Sequence, residues 1–277
     1  MKPRMRQVRG LIAACHPGPA LAVTAGITVL AAALGCGPRG TVLVLLAILT
    51  GQLSIGWAND AHDAPSDRAA GRSEKPVVRG WISEGTLWTA ASIAVALCIP
   101  LSIWAAGPIG GLAHLTAVAF AWAYDLWLKT TVWSWLPYVV SFGLLAPFLT
   151  HSLTPPQSAA PWSVATLSLL GLGAHLANGI PDIEGDRRTA TQGVVGRLGR
   201  RWATLLSVTM LMAAAALVVG QIGLATTASV AVLAGLAAAL ASAALGSGGR
   251  HLFPVVMLLA LGNALLLTLN ASQIVAG

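Results

Sequence analysis

Two stretches of the chain share one pattern of amide and carboxylate side chains, and we name residues 59–67 and 178–186 the first and second acidic stretches. Residues four apart lie on the same face of a helix, so an N-x-x-x-D-x-x-x-D spacing gathers its polar groups on one side. Carboxylates held that close repel one another unless a cation lies between them, and Mg²⁺ prefers such oxygen ligands together with substrate phosphates. The pattern therefore predicts a Mg²⁺ site with ligands from both stretches: Asn59, Asp60, Asp63, Asp67, Asp182 and Asp186.

Basic side chains follow each acidic stretch. Arginine and lysine bind the free oxygens of a phosphate directly, whereas carboxylates reach them only through a metal ion. A diphosphate site requires acidic residues that bind a metal ion next to basic residues that bind phosphate. We therefore expect a set of substrate-binding residues: Asn59, Arg68, Arg72, Lys75, Asn178 and Arg187. The alternative is that the basic residues only orient the chain in a membrane and pair with the acids.

A third polar stretch, YDLWLK, lies at the end of an apolar run. Its Tyr124 and Lys129 can reach toward the same phosphate. The neighbouring tryptophans favour an interfacial aromatic belt. The six histidines show no metal-binding spacing, and we interpret His175 as a buried, hydrogen-bonded structural residue.

The composition excludes a water-soluble protein. Apolar residues make up 56% of the 277 residues, charged residues only 9%, and the mean hydropathy is +0.76. A soluble domain carries roughly 25% charged residues. The net charge of +7 fits an anionic membrane leaflet, and because the basic residues are divided among separate segments we expect no nucleic acid partner. The three cysteines are predicted to be buried apolar residues.

Apolar runs long enough to cross a bilayer recur along the whole chain. A spanning helix needs about 20 mostly apolar residues, and we predict a single domain over 1–277, an uncleaved N-terminal span and no signal cleavage. Pro65 predicts that any helix in the first acidic stretch is short or begins afresh there. The nine predicted spans are 18–35, 41–58, 85–106, 110–127, 133–150, 161–178, 202–220, 224–245 and 252–273.

The basic residues orient these predicted spans. With nine spans and a cytoplasmic N-terminus, every lysine and arginine except Arg39 falls on the cytoplasmic side, as the positive-inside rule requires. An even number of spans separates the two acidic stretches, so both return to one face. We therefore predict a multi-pass protein of the cell membrane, with the N-terminus and both acidic stretches cytoplasmic and the C-terminus outside.

This combination resembles the UbiA superfamily of intramembrane prenyltransferases. The resemblance implies an all-α fold of nine transmembrane helices that enclose a central cavity, with the Asp-rich loops on the cytoplasmic side. It also implies two Mg²⁺ ions between the aspartates and a diphosphate. Four motifs carry it: NDAHDAPSD (Asn59–Asp67), GRSEKP (Gly71–Pro76), YDLWLK (Tyr124–Lys129) and PDIEGDRR (Pro181–Arg188). The catalytic residues that it implies are Asp63, Asp182, Lys129 and Tyr124.

The implied reaction moves a prenyl group from a prenyl diphosphate to an aromatic, quinone-precursor or other lipophilic acceptor, with Mg²⁺ as cofactor. An intramembrane terpene cyclase on the same scaffold is the main alternative, because it begins with the same ionisation and captures the cation internally. A transporter is disfavoured, since transporter sites lie near the bilayer midplane and these acids lie at helix ends. A non-catalytic binding protein is a further alternative, and the sequence leaves open the donor length, the acceptor and the oligomeric state.

Overall fold

The computed structural model describes residues 3–184, 192–222 and 262–276, and within these ranges every named element is a helix. A π-helical turn, Tyr124–Leu128, continues the fourth helix, and a further helical segment covers 262–269. The all-α fold class is therefore confirmed for the described part of the chain. The helices are α1 (Pro3–Ala14), α2 (Pro17–Leu34), α3 (Gly37–Ala69), α4 (Glu84–Ala123), α5 (Leu136–Gly143), α6 (Leu145–His151), α7 (Pro161–Gly179) and α8 (Val194–Ile222).

Local sequence explains where these helices begin and end. Pro17 lies in the first turn of α2, where its missing N–H costs nothing. Gly35 ends α2 in the left-handed region, with φ 91°, and its N–H reaches back to the last turn. Ser83 caps α4, because its hydroxyl oxygen accepts a hydrogen bond from the Thr86 N–H at 3.1 Å.

The chain reverses direction within α4. Gly107, with φ 63°, interrupts the helical conformation near the middle of the element. The rings of Trp88 and Trp122 lie 6.2 Å apart, whereas a straight helix would separate them by about 50 Å at about 1.5 Å per residue. The two halves of α4 are therefore antiparallel, and they correspond to the predicted spans 85–106 and 110–127.

Helix length and composition agree with a membrane setting. In the described ranges, four helices are long and apolar enough to cross a bilayer: Pro17–Leu34, Gly37–Ala69, Glu84–Leu128 and Val194–Gln221. Each of the first seven predicted spans, from 18–35 to 202–220, overlaps helical structure. The predicted span 224–245 and residues 252–261 of the predicted span 252–273 lie outside the described residues, and the central cavity stays a prediction. Large apolar side chains are exposed on the surface of the bundle, among them Leu97, Trp104, Ile109 and Leu112.

α3 extends well beyond the predicted span 41–58 and carries the first acidic stretch in its final turns. The prediction that Pro65 shortens or restarts the helix is wrong, because α3 continues through it to Ala69. Proline removes one backbone hydrogen bond, but packing holds this part of α3 in place. Ala61 and Ala64 are fully buried in a small apolar cluster with α1 and the segment before α4.

The turn between α1 and α2 lies against α3 beside the first acidic stretch. Gly56 makes this possible, because a Cβ there would lie 2.6 Å from the carbonyl oxygen of Cys15. The main apolar core lies elsewhere, between α2, α3, α4, α6, α7 and α8. The acidic stretch is thus supported by a cluster separate from the main core.

Candidate functional site

Asp60 is the most buried acid of the first acidic stretch, with 2% of its surface exposed. Its Oδ1 accepts a hydrogen bond from Lys75 Nζ at 2.7 Å and lies 2.9 Å from His16 Nε2. His16 occupies the left-handed region, with φ 51°, which costs a non-glycine residue about 1–2 kcal/mol. A buried carboxylate needs such partners, so His16 and Lys75 together stabilise Asp60 in its position.

His16 was not found from the sequence, because it belongs to no metal-binding spacing. The signal available was its place in the His-Pro-Gly-Pro run that interrupts the first apolar stretch. Contact with Asp60, 44 residues along the chain, depends on the docking of the α1–α2 turn.

Asp63 is more accessible than Asp60, with 22% of its side chain exposed, and it pairs with Lys129. Lys129 closes the π-helical turn, since its N–H donates to the carbonyl of Tyr124 five residues earlier at 3.0 Å. Tyr124 and Lys129 therefore lie on nearly the same side of the chain. Single π-turns occur frequently at functional sites.

Asp67 and Arg68 make ion pairs with different partners. Asp67 is buried and lies 3.2 Å from the guanidinium of Arg72. Arg68 instead lies 3.3 Å from Glu84 at the start of α4, where both side chains are exposed. Of the predicted phosphate-binding residues, Arg72, Lys75 and Lys129 contact the aspartates of the first stretch, whereas Arg68 contacts Glu84.

Asn59 is tied to the end of α4. Its Nδ2 donates to Oδ1 of Asp125 at 2.9 Å. Asp125 is 4% exposed, and in the described part of the chain its Oδ2 has no hydrogen-bond partner. No role for Asp125 was predicted from the sequence, because its contact with Asn59 joins residues 66 apart in the chain.

The second acidic stretch approaches the same region through a group of aromatic side chains. The rings of Tyr124 and Tyr138 meet edge to face with centroids 5.1 Å apart, and the Asn178 side chain lies close to the Tyr138 hydroxyl. His175 is 3% exposed, its ring centroid lies 4.8 Å from that of Tyr138 with the two rings tilted by 40°, and its Nε2 lies 3.2 Å from the Ser134 hydroxyl. The prediction that His175 is buried and hydrogen-bonded is confirmed.

Tyr138 is the third residue, after His16 and Asp125, whose place near the site was not predicted from the sequence. The chain contains two tyrosines, and both lie in this group. Their scarcity and their positions at facing ends of two apolar runs were the available signal. Through them, Asn178 of the second stretch and the Tyr124–Lys129 segment come into one neighbourhood.

The remaining residues of the second stretch are only partly described. Asp182 is exposed and close enough to Tyr124 to act on it electrostatically. The predicted ligand Asp186 and the predicted phosphate-binding Arg187 lie outside the described residues. In the part of the chain that the structure describes, no three His, Cys, Asp or Glu side chains form a metal-binding group.

Sequence comparison places the chain among known proteins. The model of the UbiA prenyltransferase family matches residues 20–253. The chain belongs to this family. As a UbiA member with several long apolar helices, it is a multi-pass membrane protein.

One relative of the chain is the bacteriochlorophyll synthase 33 kDa chain of Rhodobacter capsulatus. The two are 31% identical over 192 residues, which is 64% of this UbiA chain and 62% of the relative. The chain thus spans less than two thirds of the length of that curated relative.

Solved UbiA-type structures share the fold. A structure of digeranylgeranylglyceryl phosphate synthase aligns with a TM-score of 0.70 at 14% identity and covers 96% of this chain and 99% of that one. A UbiA homologue from Archaeoglobus fulgidus, bound to DMAPP and Mg²⁺, aligns with a TM-score of 0.67 at 15% identity and the same coverage. At these identities the likeness establishes the fold alone.

Proposed function

We propose that this UbiA family member transfers a prenyl group from a prenyl diphosphate to an aromatic, quinone-precursor or other lipophilic acceptor, and that the reaction depends on Mg²⁺. One observation carries the proposal: the aspartates at the end of α3 form ion pairs with lysine and arginine side chains from two separate segments. Arg72 and Lys75 come from the segment after α3, and Lys129 comes from the end of α4. These charges lie at the ends of apolar helices, so a diphosphate can bind among them while a prenyl chain lies between helices.

The donor atoms of the site fit Mg²⁺. Its candidate ligands offer only oxygen, and Mg²⁺ takes one or two carboxylates together with substrate phosphates. The lysine and arginine charges that pair with these carboxylates are also the charges that attract a diphosphate. When bound, Mg²⁺ would neutralise charge on the departing diphosphate. The residues that would hold it are Asn59, Asp63, Asp67, Asp182 and Asp186.

Asp60 has a different part in the proposal. Its Oδ1 already accepts hydrogen bonds from Lys75 and His16 and is almost inaccessible. Asp60 would therefore hold Lys75 toward the diphosphate rather than bind the cation directly.

The chain's own residues then bind, orient and exclude water. Arg72, Lys75 and Lys129 would bind the free oxygens of the diphosphate, and the Tyr124 hydroxyl would donate a hydrogen bond to it. The allylic C–O bond breaks with its electron pair leaving on the diphosphate, and the acceptor captures the resulting carbocation and then loses a proton to the departing diphosphate or to water. Apolar walls that keep water away prevent hydrolysis of that cation, and fixed charges aimed at the leaving group lower the barrier.

The proposal includes a topology. The chain forms one domain over 1–277, with the N-terminus and both acidic stretches at the cytoplasmic face and the C-terminus outside. The distribution of basic residues supports this orientation. The contacts Asn59–Asp125 and Asn178–Tyr138 support a common face, because Asp125 and Tyr138 both adjoin Tyr124.

A product analysis tests the proposal. The purified full-length chain is incubated in detergent with Mg²⁺ and a series of prenyl diphosphates. The series starts from DMAPP, which the Archaeoglobus homologue binds. The acceptor panel contains aromatic acids, quinone precursors and, because of the Rhodobacter relative, a chlorophyll precursor.

Mass spectrometry should show a prenylated acceptor with the wild-type chain and none with Asp63→Ala. A hydrocarbon formed without any acceptor would replace the proposal with a terpene cyclase. Absence of both product and released diphosphate with every donor would overturn it.

A further inference from the structure

One carboxylate beside the site has no role in the proposed reaction. Asp125 lies in the π-helical turn and is 4% exposed. Its Oδ1 accepts a hydrogen bond from Asn59, but its Oδ2 is buried and finds no hydrogen-bond partner among residues 3–184, 192–222 and 262–276. A buried carboxylate with one unsatisfied oxygen costs free energy that an apolar side chain of similar size would not. Folding alone therefore does not explain an aspartate at this position.

The contact with Asp125 determines which way the Asn59 amide faces. A carboxylate oxygen accepts hydrogen bonds, so the Asn59 NH₂ group must point toward it. The amide is planar, and its oxygen is therefore directed away from Asp125. Without this contact, Asn59 can present either its oxygen or its NH₂ group to a neighbour, and only the oxygen can bind a cation.

Asn59 and Asp125 lie where the first cation is expected. Asp63 is one helical turn from Asn59 on the same face of α3. Asp125 is close enough to both Asp63 and Lys129 to interact with them electrostatically. The contact with Asp125 thus orients the Asn59 oxygen beside the aspartates that form the proposed Mg²⁺ site.

We propose that Asp125 is a positioning residue, which fixes the Asn59 amide with its oxygen available to the first cation. The inference rests on the proposed Mg²⁺ site. Partners of metal ligands orient those ligands, and their loss typically lowers metal affinity 10–100-fold. Asp125 acts only through Asn59, so its effect must disappear when Asn59 is removed.

Mn²⁺ provides a direct test that does not depend on turnover. Binding of Mn²⁺ to the purified full-length chain is measured by electron paramagnetic resonance in the presence of an unreactive geranyl thiodiphosphate. The variants are Asp125→Asn, Asp125→Leu, Asn59→Ala and the double variant Asp125→Leu/Asn59→Ala. Both Asp125 substitutions remove the charge, but only the asparagine can still accept the hydrogen bond from Asn59. Ser102→Ala is the control, because it removes a buried hydrogen bond to His114 elsewhere in α4.

The expected result is a graded loss of affinity. Asp125→Leu should weaken Mn²⁺ binding about tenfold or more, Asp125→Asn should weaken it less, and Ser102→Ala should leave it unchanged. In the Asn59→Ala background, Asp125→Leu should change the affinity by less than about twofold, as a double-mutant cycle of coupled residues requires. The melting temperature of Asp125→Leu should equal or exceed that of the wild-type chain, which a purely structural role would not allow.

Three outcomes contradict the inference. Unchanged Mn²⁺ affinity in both Asp125 variants overturns it, and so does an equal loss with and without Asn59. Equal losses in Asp125→Asn and Asp125→Leu would show that charge, not orientation, is responsible. If the wild-type chain binds no Mn²⁺, the proposed metal site itself is wrong. If the wild-type chain and both Asp125 variants bind Mn²⁺ equally well, the metal site stands and only the role of Asp125 is wrong.

Discussion

Lys75 neutralises a carboxylate that is almost completely buried, and its removal should destabilise the protein strongly. Asp60 is 2% exposed, and its Oδ1 lies 2.7 Å from Lys75 Nζ and 2.9 Å from His16 Nε2. Removing one partner of a buried ion pair costs about 3–5 kcal/mol, because the remaining charge is uncompensated. His16 stays in contact in Lys75→Met, so we expect the lower end of that range, about 3 kcal/mol.

A second substitution separates the lost charge from the lost side chain. The double variant Lys75→Met/Asp60→Asn leaves no uncompensated charge, and it should recover most of the lost stability. Arg68→Met is the matched control, because its pair with Glu84 is exposed on both sides and such pairs contribute about 0–1 kcal/mol.

Thermal unfolding in detergent, followed by circular dichroism, measures all three variants under one condition. Equal melting temperatures for Lys75→Met and Arg68→Met would show that Lys75 does not neutralise a buried charge. A double variant that is no more stable than Lys75→Met would contradict the prediction too, since the uncompensated charge of Asp60 would then not be the cause of the lost stability.

Two further predictions concern the contacts around the first acidic stretch. Lys129→Met removes the cation beside Asp63 and should weaken geranyl diphosphate binding about tenfold or more, because hydrogen bonds to charged groups contribute roughly 1.5–3 kcal/mol; an unaltered dissociation constant in a filter-binding assay would contradict this. Gly56→Ala should destabilise the chain by about 1–3 kcal/mol, because the new Cβ would lie 2.6 Å from the Cys15 carbonyl oxygen. Gly26→Ala has nothing within 4 Å and should be neutral or stabilising, so equal melting temperatures for the two variants would speak against the close packing of α3.

The helical spans and the acidic face of α3 were predictable because both depend on local periodicity. The length of the apolar runs alone located the two halves of α4. The glycine and prolines near residue 107 were enough to indicate the turn between them. The spacing of Asp60, Asp63 and Asp67 placed them on one side of a helix. Composition was enough to assign the chain to a membrane.

Pro65 shows where local reasoning fails. Proline predicts a break in a helix, but tertiary packing of Ala61 and Ala64 keeps α3 continuous. Propensity is a weak prior that tertiary contacts override.

The unpredicted parts of the site are contacts between residues distant in the sequence. His16 reaches Asp60, and Asn59 reaches Asp125, only after separate helices have packed together. No spacing rule along one chain predicts such pairs. Tyr138 could have been suspected from the scarcity of tyrosine, but its contact with Asn178 depends on the packing of α5 against α7.

Binding of a prenyl diphosphate with and without divalent cation tests most directly whether the two acidic stretches hold one substrate through shared metal. Radiolabelled geranyl diphosphate is equilibrated with the purified chain in Mg²⁺ or in excess EDTA. The account predicts that chelation abolishes binding and that Asp63→Ala and Asp182→Ala each weaken it severely in Mg²⁺. Equal binding in EDTA, or an Asp182→Ala variant that binds as tightly as the wild-type chain, would contradict it.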